Sequence, residues 1–193
     1  MGTVRIAAEA GALVASSMTA RAGVPAWDEA LFRRINALPG TFAPVVWAPM
    51  QAGALGAPIA VGAVLLLGGR RREAARTVVT GVAVWGIAKG VKHLVGRGRP
   101  RDHIETTELR MGSADNGLGY PSGHAAVVVA VVAGVRSNAG PAWGAAGLAL
   151  GLAVGFSRVY VGAHYPLDVL GGYALGALTA DTYRSLEAMV AGR

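Results

Sequence analysis

The segment VVWAPMQAGALGAPIAVGAVLLL, residues 45–67, decides how the rest of the chain is interpreted. It contains no charged residue, and it is longer than the roughly 20 residues that a helix needs to cross the hydrocarbon core of a bilayer. Pro49 and Pro58 lie inside the segment and predict kinks, which neighbouring helices tolerate within a membrane. The cluster Arg70–Arg72 follows it. This segment predicts an integral membrane protein.

The overall composition supports the same prediction. Apolar residues make up 53% of the chain and charged residues 15%, whereas a soluble domain usually has about 25% charged residues. The chain has no cysteine, which excludes disulfides, thiol chemistry and cysteine metal sites. The net charge of +7 lies in short clusters between apolar runs, without a basic face flanked by aromatic residues. It favours anionic lipid headgroups or phosphorylated substrates as partners, and not nucleic acid.

Further apolar stretches extend the prediction to an all-α bundle of about six transmembrane helices. They cover residues 77–95, 124–135, 141–161 and 165–183. The stretch 124–135 reaches spanning length only if its helix begins near Ser122 and continues past Arg136. We expect residues 1–193 to form one membrane-embedded domain.

The N-terminal helix has two interpretations. Residues 6–18 are apolar but short, and Glu9 interrupts them, while Ala20-Arg21-Ala22 has the pattern of a signal-peptide cleavage site. We favour a retained first helix, because Glu9 lies where a signal peptide needs an unbroken apolar core.

Two other patterns indicate helix surfaces. Residues 27–38 place apolar side chains at helical spacing, which predicts either an amphipathic helix at the membrane interface or a surface connector. Gly147, Gly151 and Gly155 recur every four residues, which allows close approach of neighbouring helices. Packing within the bundle is the preferred interpretation of this row, and a dimer contact is the alternative.

The arginine cluster predicts the orientation in the cytoplasmic membrane. If Arg70–Arg72 stay in the cytoplasm, segments 96–120 and 156–164 lie on the extracytoplasmic side. The same topology places three other arginines inside, namely Arg136, Arg184 and Arg193. Segment 96–120 also contains arginines, and we attribute these to function.

Three polar patches lie at helix ends and, in this topology, on the same side of the membrane. They are KHLVGRGRP (92–100), YPSGH (120–124) and SRVYVGAHYPLD (157–168). Lys92, Arg99 and Arg158 supply fixed positive charges, and a guanidinium can donate two parallel hydrogen bonds to phosphate oxygens. Gly123 lets backbone amides approach an anion at a helix N-terminus, where the helix dipole also favours negative charge. The patches predict a binding site for a tetrahedral anion.

Two histidines add reactivity to this site. His164 and Asp168 are four residues apart, so a helix would place the carboxylate beside the ring and leave the other nitrogen as a nucleophile. His124 is positioned to protonate a leaving oxygen. Each residue also has an ordinary explanation: the Asp–His pair could bind a metal, the histidines could cap helices, and the arginines could bind lipid headgroups.

These patches resemble the three-part signature of the type 2 phosphatidic acid phosphatase superfamily, whose membrane-bound members have six helices. The matching positions are Lys92, Arg99 and Pro100, then Pro121, Ser122, Gly123 and His124, then Ser157, Arg158, Gly162 and His164, followed by Asp168.

The resemblance implies a metal-independent phosphatase that works through a phosphohistidine and needs no cofactor. His164 would be the nucleophile, Asp168 would orient it, and His124 would be the general acid. The phosphoryl oxygens would be held by Lys92, Arg99, Ser122, Gly123 and Arg158.

Membrane members of the superfamily act on lipid phosphates and diphosphates, so we expect a polyprenyl diphosphate or a glycerophospholipid phosphate as substrate. Arg101, His103 and Arg110 are candidate headgroup contacts, or else solvated loop residues. The alternative function is a non-catalytic module that binds or transports anionic lipids. It would use the same cations but would not need two histidines and an aspartate together.

Overall fold

The computed structural model describes residues 2–114, 116–135 and 141–192. These residues contain helices and no strand, which confirms the all-α prediction for the described part of the chain. The helices are α1 (Gly2–Ala22), α2 (Ala26–Asn36), α3 (Ala43–Met50), α4 (Gly56–Leu67), α5 (Arg71–Val95), α6 (Pro100–His103), α7 (Gly123–Val135), α8 (Pro141–Tyr160) and α9 (Pro166–Ala191). Arg136 and Arg193, which enter the predicted orientation, lie outside the described residues.

Residues 45–67 bend more sharply than the kinks that the two prolines predict, and their role as one span stays a prediction. They form α3, a short 3-10 turn (Gln51–Gly53) and α4, and the two halves meet at 67°. Pro58 lies in the first turn of α4, where a missing backbone N–H removes no helical hydrogen bond, so this proline begins a helix instead of bending one. The break directs Gly53 towards α7, where a Cβ atom would lie 2.5 Å from the carbonyl oxygen of His124.

The predicted number of spans stays a prediction. Among the described residues, Arg71–His103 and Ala142–Tyr160 are long and apolar enough to cross a membrane, and the bent pair α3–α4 would make a third span. Helix α7 is apolar but begins only at Gly123, close to the predicted Ser122, and its predicted continuation past Arg136 lies outside the described residues.

Helix α7 occupies the centre of the bundle, between α5 and α9, with α8 also packed against it. A core of small and branched side chains joins these helices, including Val84, Val127 and Leu175. The predicted packing role of the glycine row is confirmed for Gly147, which lies against Val132 of α7, and for Gly155, which lies against Tyr173 of α9. A Cβ atom at Gly151 would meet nothing within 4 Å.

The N-terminal segment forms a helix that packs along α9. Glu9, which interrupts its apolar run, accepts a hydrogen bond from Arg5 Nε at 3.0 Å, and the same nitrogen lies 2.6 Å from Asp181 of α9. The fully buried Tyr120 attaches the other end of α1, because its hydroxyl lies 2.7 Å from Ser16 Oγ.

Helix α2 confirms the helix predicted over residues 27–38, but a different face packs against the protein. Trp27 is 49% exposed, whereas Asp28, Phe32 and Asn36 are buried. Phe32 contacts the ring of Tyr165 edge to face, with ring centroids 5.3 Å apart. This packing places the carboxylate of Asp28 in the protein interior.

Tyr120→Phe should lower the melting temperature in detergent, because it removes the hydroxyl that joins α1 to the bundle. Loss of such a hydrogen bond costs about 1 kcal/mol. Tyr183→Phe is the control, since Tyr183 is a partly exposed tyrosine of α9. Equal melting temperatures for the two variants would show that this contact does not hold α1.

Candidate active site

The three polar patches converge on one cavity of about 520 Å³. Six of the predicted site residues line it, two from each patch: Lys92, Arg99, Gly123, His124, Arg158 and His164. Ser122 and Asp168 do not line the cavity and are fully buried. The structure therefore brings the predicted cations and histidines together and places the predicted aspartate behind them.

Lys92 lies in the last turn of α5, which ends at Gly96 in the left-handed conformation (φ +72°) that glycine adopts readily. Its ammonium group donates hydrogen bonds of 2.8 Å to the carbonyl oxygens of Leu118 and Gly119. These two carbonyls belong to the strip of chain that leads into α7. Lys92 thus ties the second patch to the first.

The two cavity arginines are also held by backbone carbonyls. Arg99 donates through Nε to Asn116 O at 2.6 Å and through Nη1 to Ala163 O at 2.8 Å. Arg158 donates through Nη1 to Gly112 O at 2.7 Å. A carbonyl oxygen fixes the position of a guanidinium without cancelling its charge, so Arg158 keeps its positive charge beside the cavity.

Helix α7 begins at the cavity wall with Gly123 and His124. The N–H groups of a first helical turn have no partner within the helix, and the helix dipole adds positive potential there. Ser122 Oγ accepts a hydrogen bond from Ala125 N at 3.5 Å, and the backbone N–H of Ser122 donates to Asp168 O at 2.8 Å. Ser122 therefore caps α7 and joins it to α9 from a buried position.

A sharp turn after α8 positions His164. Gly162 has φ +82°, and a Cβ atom there would lie 2.5 Å from the carbonyl oxygen of Glu108. The N–H groups of Ala163 and His164 both donate to the carbonyl oxygen of Arg158, at 3.1 and 3.2 Å. Glycine at this position ends α8 and turns the chain so that His164 meets the cavity.

The start of α9 positions Asp168 against His164. Asp168 is the third residue of the helix, and its Oδ2 accepts a hydrogen bond from the N–H of Tyr165 at 2.9 Å. The same oxygen lies 3.4 Å from His164 Nδ1, so Nε2 is the nitrogen left for chemistry. Burial lowers the pKa of His164 well below its usual range, and the nearby cations Lys92 and Arg158 lower it further. Its ring is therefore neutral and nucleophilic at neutral pH.

Two buried charges in this region were not among the predicted site residues. Arg97 donates through Nη1 to Asp168 Oδ1 at 2.8 Å and through Nη2 to Asp28 Oδ2 at 2.6 Å. The sequence marked Arg97 only as one of several arginines in a polar segment. Nothing in it indicated that α2 carries an acid into the protein interior.

The three candidate headgroup contacts do not line the cavity. Arg110 donates hydrogen bonds to the carbonyl oxygens of Tyr160 and Leu38, at 2.6 and 2.8 Å, so it joins the loop to α8. Arg101 and His103 are exposed on α6. Within the described residues, no group of three or more His, Asp or Glu side chains is arranged to hold a metal ion.

Comparison with known proteins gives a consistent result. The sequence model of the PAP2 superfamily matches residues 74–187. An undecaprenyl-diphosphatase of Sulfolobus acidocaldarius is 34% identical over 121 residues, which cover 62% of this chain and 58% of that protein. A lipid A 1-phosphatase of Rhizobium johnstonii is 36% identical over 95 residues, which cover 47% of this chain and 38% of that protein. The matched part of the chain thus spans 58% of the length of the first relative and 38% of the length of the second.

Two solved structures share the fold. The crystal structure of a transmembrane PAP2-type phosphatidylglycerolphosphate phosphatase from Bacillus subtilis superposes with a TM-score of 0.74 at 20% identity, covering 92% of this chain and 95% of that one. Aquifex aeolicus LpxE superposes with a TM-score of 0.71 at 20% identity, covering 81% and 93%. Together with the apolar helices, this fold identifies a multi-pass membrane protein.

The cavity is expected to bind orthovanadate, a tetrahedral analogue of phosphate. Arg158→Gln should weaken this binding about 10- to 100-fold, because a hydrogen bond to a charged group contributes about 1.5–3 kcal/mol. Titration calorimetry in detergent measures the affinity. Arg101→Gln, outside the cavity, should bind vanadate as the wild type does, and equal affinities for all three proteins would contradict the assigned anion site.

Proposed function

We propose that this chain, which belongs to the PAP2 superfamily, hydrolyses a phosphate or diphosphate group of a membrane lipid. The observation that carries the proposal is the convergence of cations and histidines on one cavity, with His164 in contact with Asp168. An anion site alone needs only the cations. The neutral histidine with an orienting carboxylate adds a nucleophile.

The first chemical step forms a phosphohistidine without a metal ion. Lys92, Arg99 and Arg158 hold the phosphoryl oxygens, and the N-terminus of α7 adds N–H donors. His164 Nε2 attacks phosphorus, and the bond between phosphorus and the leaving oxygen breaks. The negative charge of the bound phosphoryl group offsets the cavity cations and allows His124 to carry a proton, which it donates to that oxygen, so the lipid product leaves neutral at this atom.

The second step releases inorganic phosphate. The now neutral His124 takes a proton from water, whose oxygen attacks the phosphohistidine. The bond between phosphorus and Nε2 breaks and returns its electron pair to the ring of His164. Both histidines regain their starting states, so the cycle consumes one water per phosphoryl group.

We place the site on the extracytoplasmic face of the cytoplasmic membrane. Lys92 lies at the end of α5 that forms the cavity, and the basic cluster Arg70–Arg72 lies at the opposite end of the same helix. Retention of this cluster in the cytoplasm directs the cavity outward. Residues 1–193 would act there as one catalytic domain.

The cavity and the relatives support the proposed substrate class. A polyprenyl diphosphate or a glycerophospholipid phosphate carries the tetrahedral anion that the cations fit, attached to a chain that stays in the bilayer. The relatives named undecaprenyl-diphosphatase and lipid A 1-phosphatase share this combination of lipid and phosphoryl group. Arg101 and His103, exposed on α6, stay candidates for contacts with the remainder of the headgroup.

Purified protein should release phosphate from a panel of polyprenyl and glycerolipid phosphates in the presence of excess EDTA. His164→Ala should abolish release, and Asp168→Asn should slow it by about 10²- to 10⁴-fold, which is the contribution of a positioned proton-transfer group. Phosphate release in detergent micelles measures all three proteins.

Three outcomes would contradict this account. Loss of activity with EDTA would indicate a metal site and overturn the phosphohistidine mechanism, and full activity of His164→Ala would refute the nucleophile. Lipid transport into liposomes with no phosphate released from any substrate would favour the non-catalytic alternative.

Gly53→Ala should reduce phosphate release by about 10²-fold, since a misplacement of about 1 Å at a catalytic group can cost that much. The added Cβ atom would lie 2.5 Å from the carbonyl oxygen of His124 and 2.8 Å from its Cβ atom, so α7 must shift. Gly56→Ala is the matched control, because its Cβ atom would meet nothing within 4 Å. Equal rates for the two variants would show that the 3-10 turn does not position His124.

A further inference from the structure

A continuous set of buried contacts runs from α2 to His164. Asp28 Oδ1 accepts a hydrogen bond from Leu167 N at 2.8 Å, and Asp28 Oδ2 accepts one from Arg97 Nη2 at 2.6 Å. Arg97 Nη1 then donates to Asp168 Oδ1 at 2.8 Å, and Asp168 Oδ2 lies 3.4 Å from His164 Nδ1. The side chains of Asp28 and Asp168 have no exposed surface, and that of Arg97 is 2% exposed.

The charges in this set determine how strongly Asp168 can stabilise positive charge on the ring of His164. A guanidinium paired with Asp168 alone would neutralise it and weaken its support for positive charge on the ring. Asp28 supplies a second carboxylate, so Asp28, Arg97 and Asp168 together carry one net negative charge. In a buried site this charge acts more strongly on its neighbours than it would in water, because less water screens it.

Asp28 also fixes the geometry of the helix that carries the catalytic carboxylate. Asp28 accepts a hydrogen bond from the backbone N–H of Leu167, the residue before Asp168 in the first turn of α9. The guanidinium of Arg97 lies over the ring of Tyr165, 4.7 Å from its centroid. Helix α2 thus holds both the start of α9 and the arginine beside it. Asp28 lies outside residues 74–187, the part of the chain that matches the superfamily.

We infer that Asp28 is a positioning residue for the reaction, which acts through Arg97 and Asp168 to keep His164 oriented and able to accept the phosphoryl group. The inference rests on the proposed function and deepens it. It assigns α2, a helix outside the three patches, a part in the reaction of His164.

The test compares Asp28→Asn with Glu29→Gln. Asparagine keeps one oxygen for Leu167 N, but it removes the charge and the second oxygen, which accepts from Arg97. Glu29 is a partly exposed neighbour that pairs with Arg33 on the same helix. Asp28→Asn should lower kcat by about 10- to 100-fold, the cost typical of partners that orient site residues from behind. KM should change by no more than about threefold, because the phosphate cations are untouched.

The double variant Asp28→Asn/Arg97→Gln separates charge balance from a merely structural role. Both partners are then neutral, and Asp168 again carries one uncompensated negative charge. The double variant should therefore recover activity relative to Asp28→Asn. If it is as slow as Asp28→Asn or slower, the charge-balance inference is overturned.

A readout independent of turnover distinguishes this inference from the proposed function. ¹⁵N NMR of the imidazoles, with His164 assigned by its absence in His164→Ala, reports which ring nitrogen carries the proton. Asp28→Asn should shift the Nδ1 signal of His164, and Glu29→Gln should leave it in place. An unshifted signal in Asp28→Asn overturns the inference even if the wild type hydrolyses lipid phosphates. A wild-type protein that hydrolyses no lipid phosphate refutes only the proposed function.

Discussion

The burial of the Asp168 carboxylate at the start of α9 is the constraint on which the rest of the site depends. A buried charge is stable only when donors surround it, and here Arg97 and the backbone N–H of Tyr165 donate to the carboxylate. The N–H of Ser122 in the second patch donates to the backbone carbonyl of the same residue, and His164 of the third patch lies 3.4 Å from its carboxylate. Contacts of Asp168, through its carboxylate and its backbone carbonyl, thus join the three patches.

The cations of the site divide into two groups by the partners that hold them. Lys92, Arg99 and Arg158 donate to backbone carbonyls, which position them at the cavity. Arg97 instead donates to two carboxylates and is part of the support behind the nucleophile. An apolar bundle can hold so many charges because each has a defined hydrogen-bond partner.

Much of the site was predictable because its residues stand at the ends of apolar stretches. His124 follows the glycine that begins α7, and His164 follows the glycine that ends α8, so local chain geometry places both at the cavity. Ser122 stays a predicted phosphate ligand, and its buried hydroxyl oxygen accepts a hydrogen bond from Ala125 N at the start of α7. Arg110 stays a predicted headgroup contact, and its guanidinium joins the loop to the carbonyl oxygens of Tyr160 and Leu38. The residue types alone did not indicate these contacts, because each depends on atoms that are distant along the chain or in a packed turn.

The sequence by itself determined the helical class, the three patches and the proximity of His164 to Asp168, because these depend on composition and on short separations along the chain; His164 lies in the turn before α9 and not on a common helix with Asp168. Tertiary structure alone decided that residues 45–67 break into two helices, since Pro58 fits the first turn of a new helix as well as it fits a kink. It also decided that Asp28 meets Arg97, 69 residues away. Periodicity within a segment carries no information about contacts between segments, and those contacts depend on how whole helices pack.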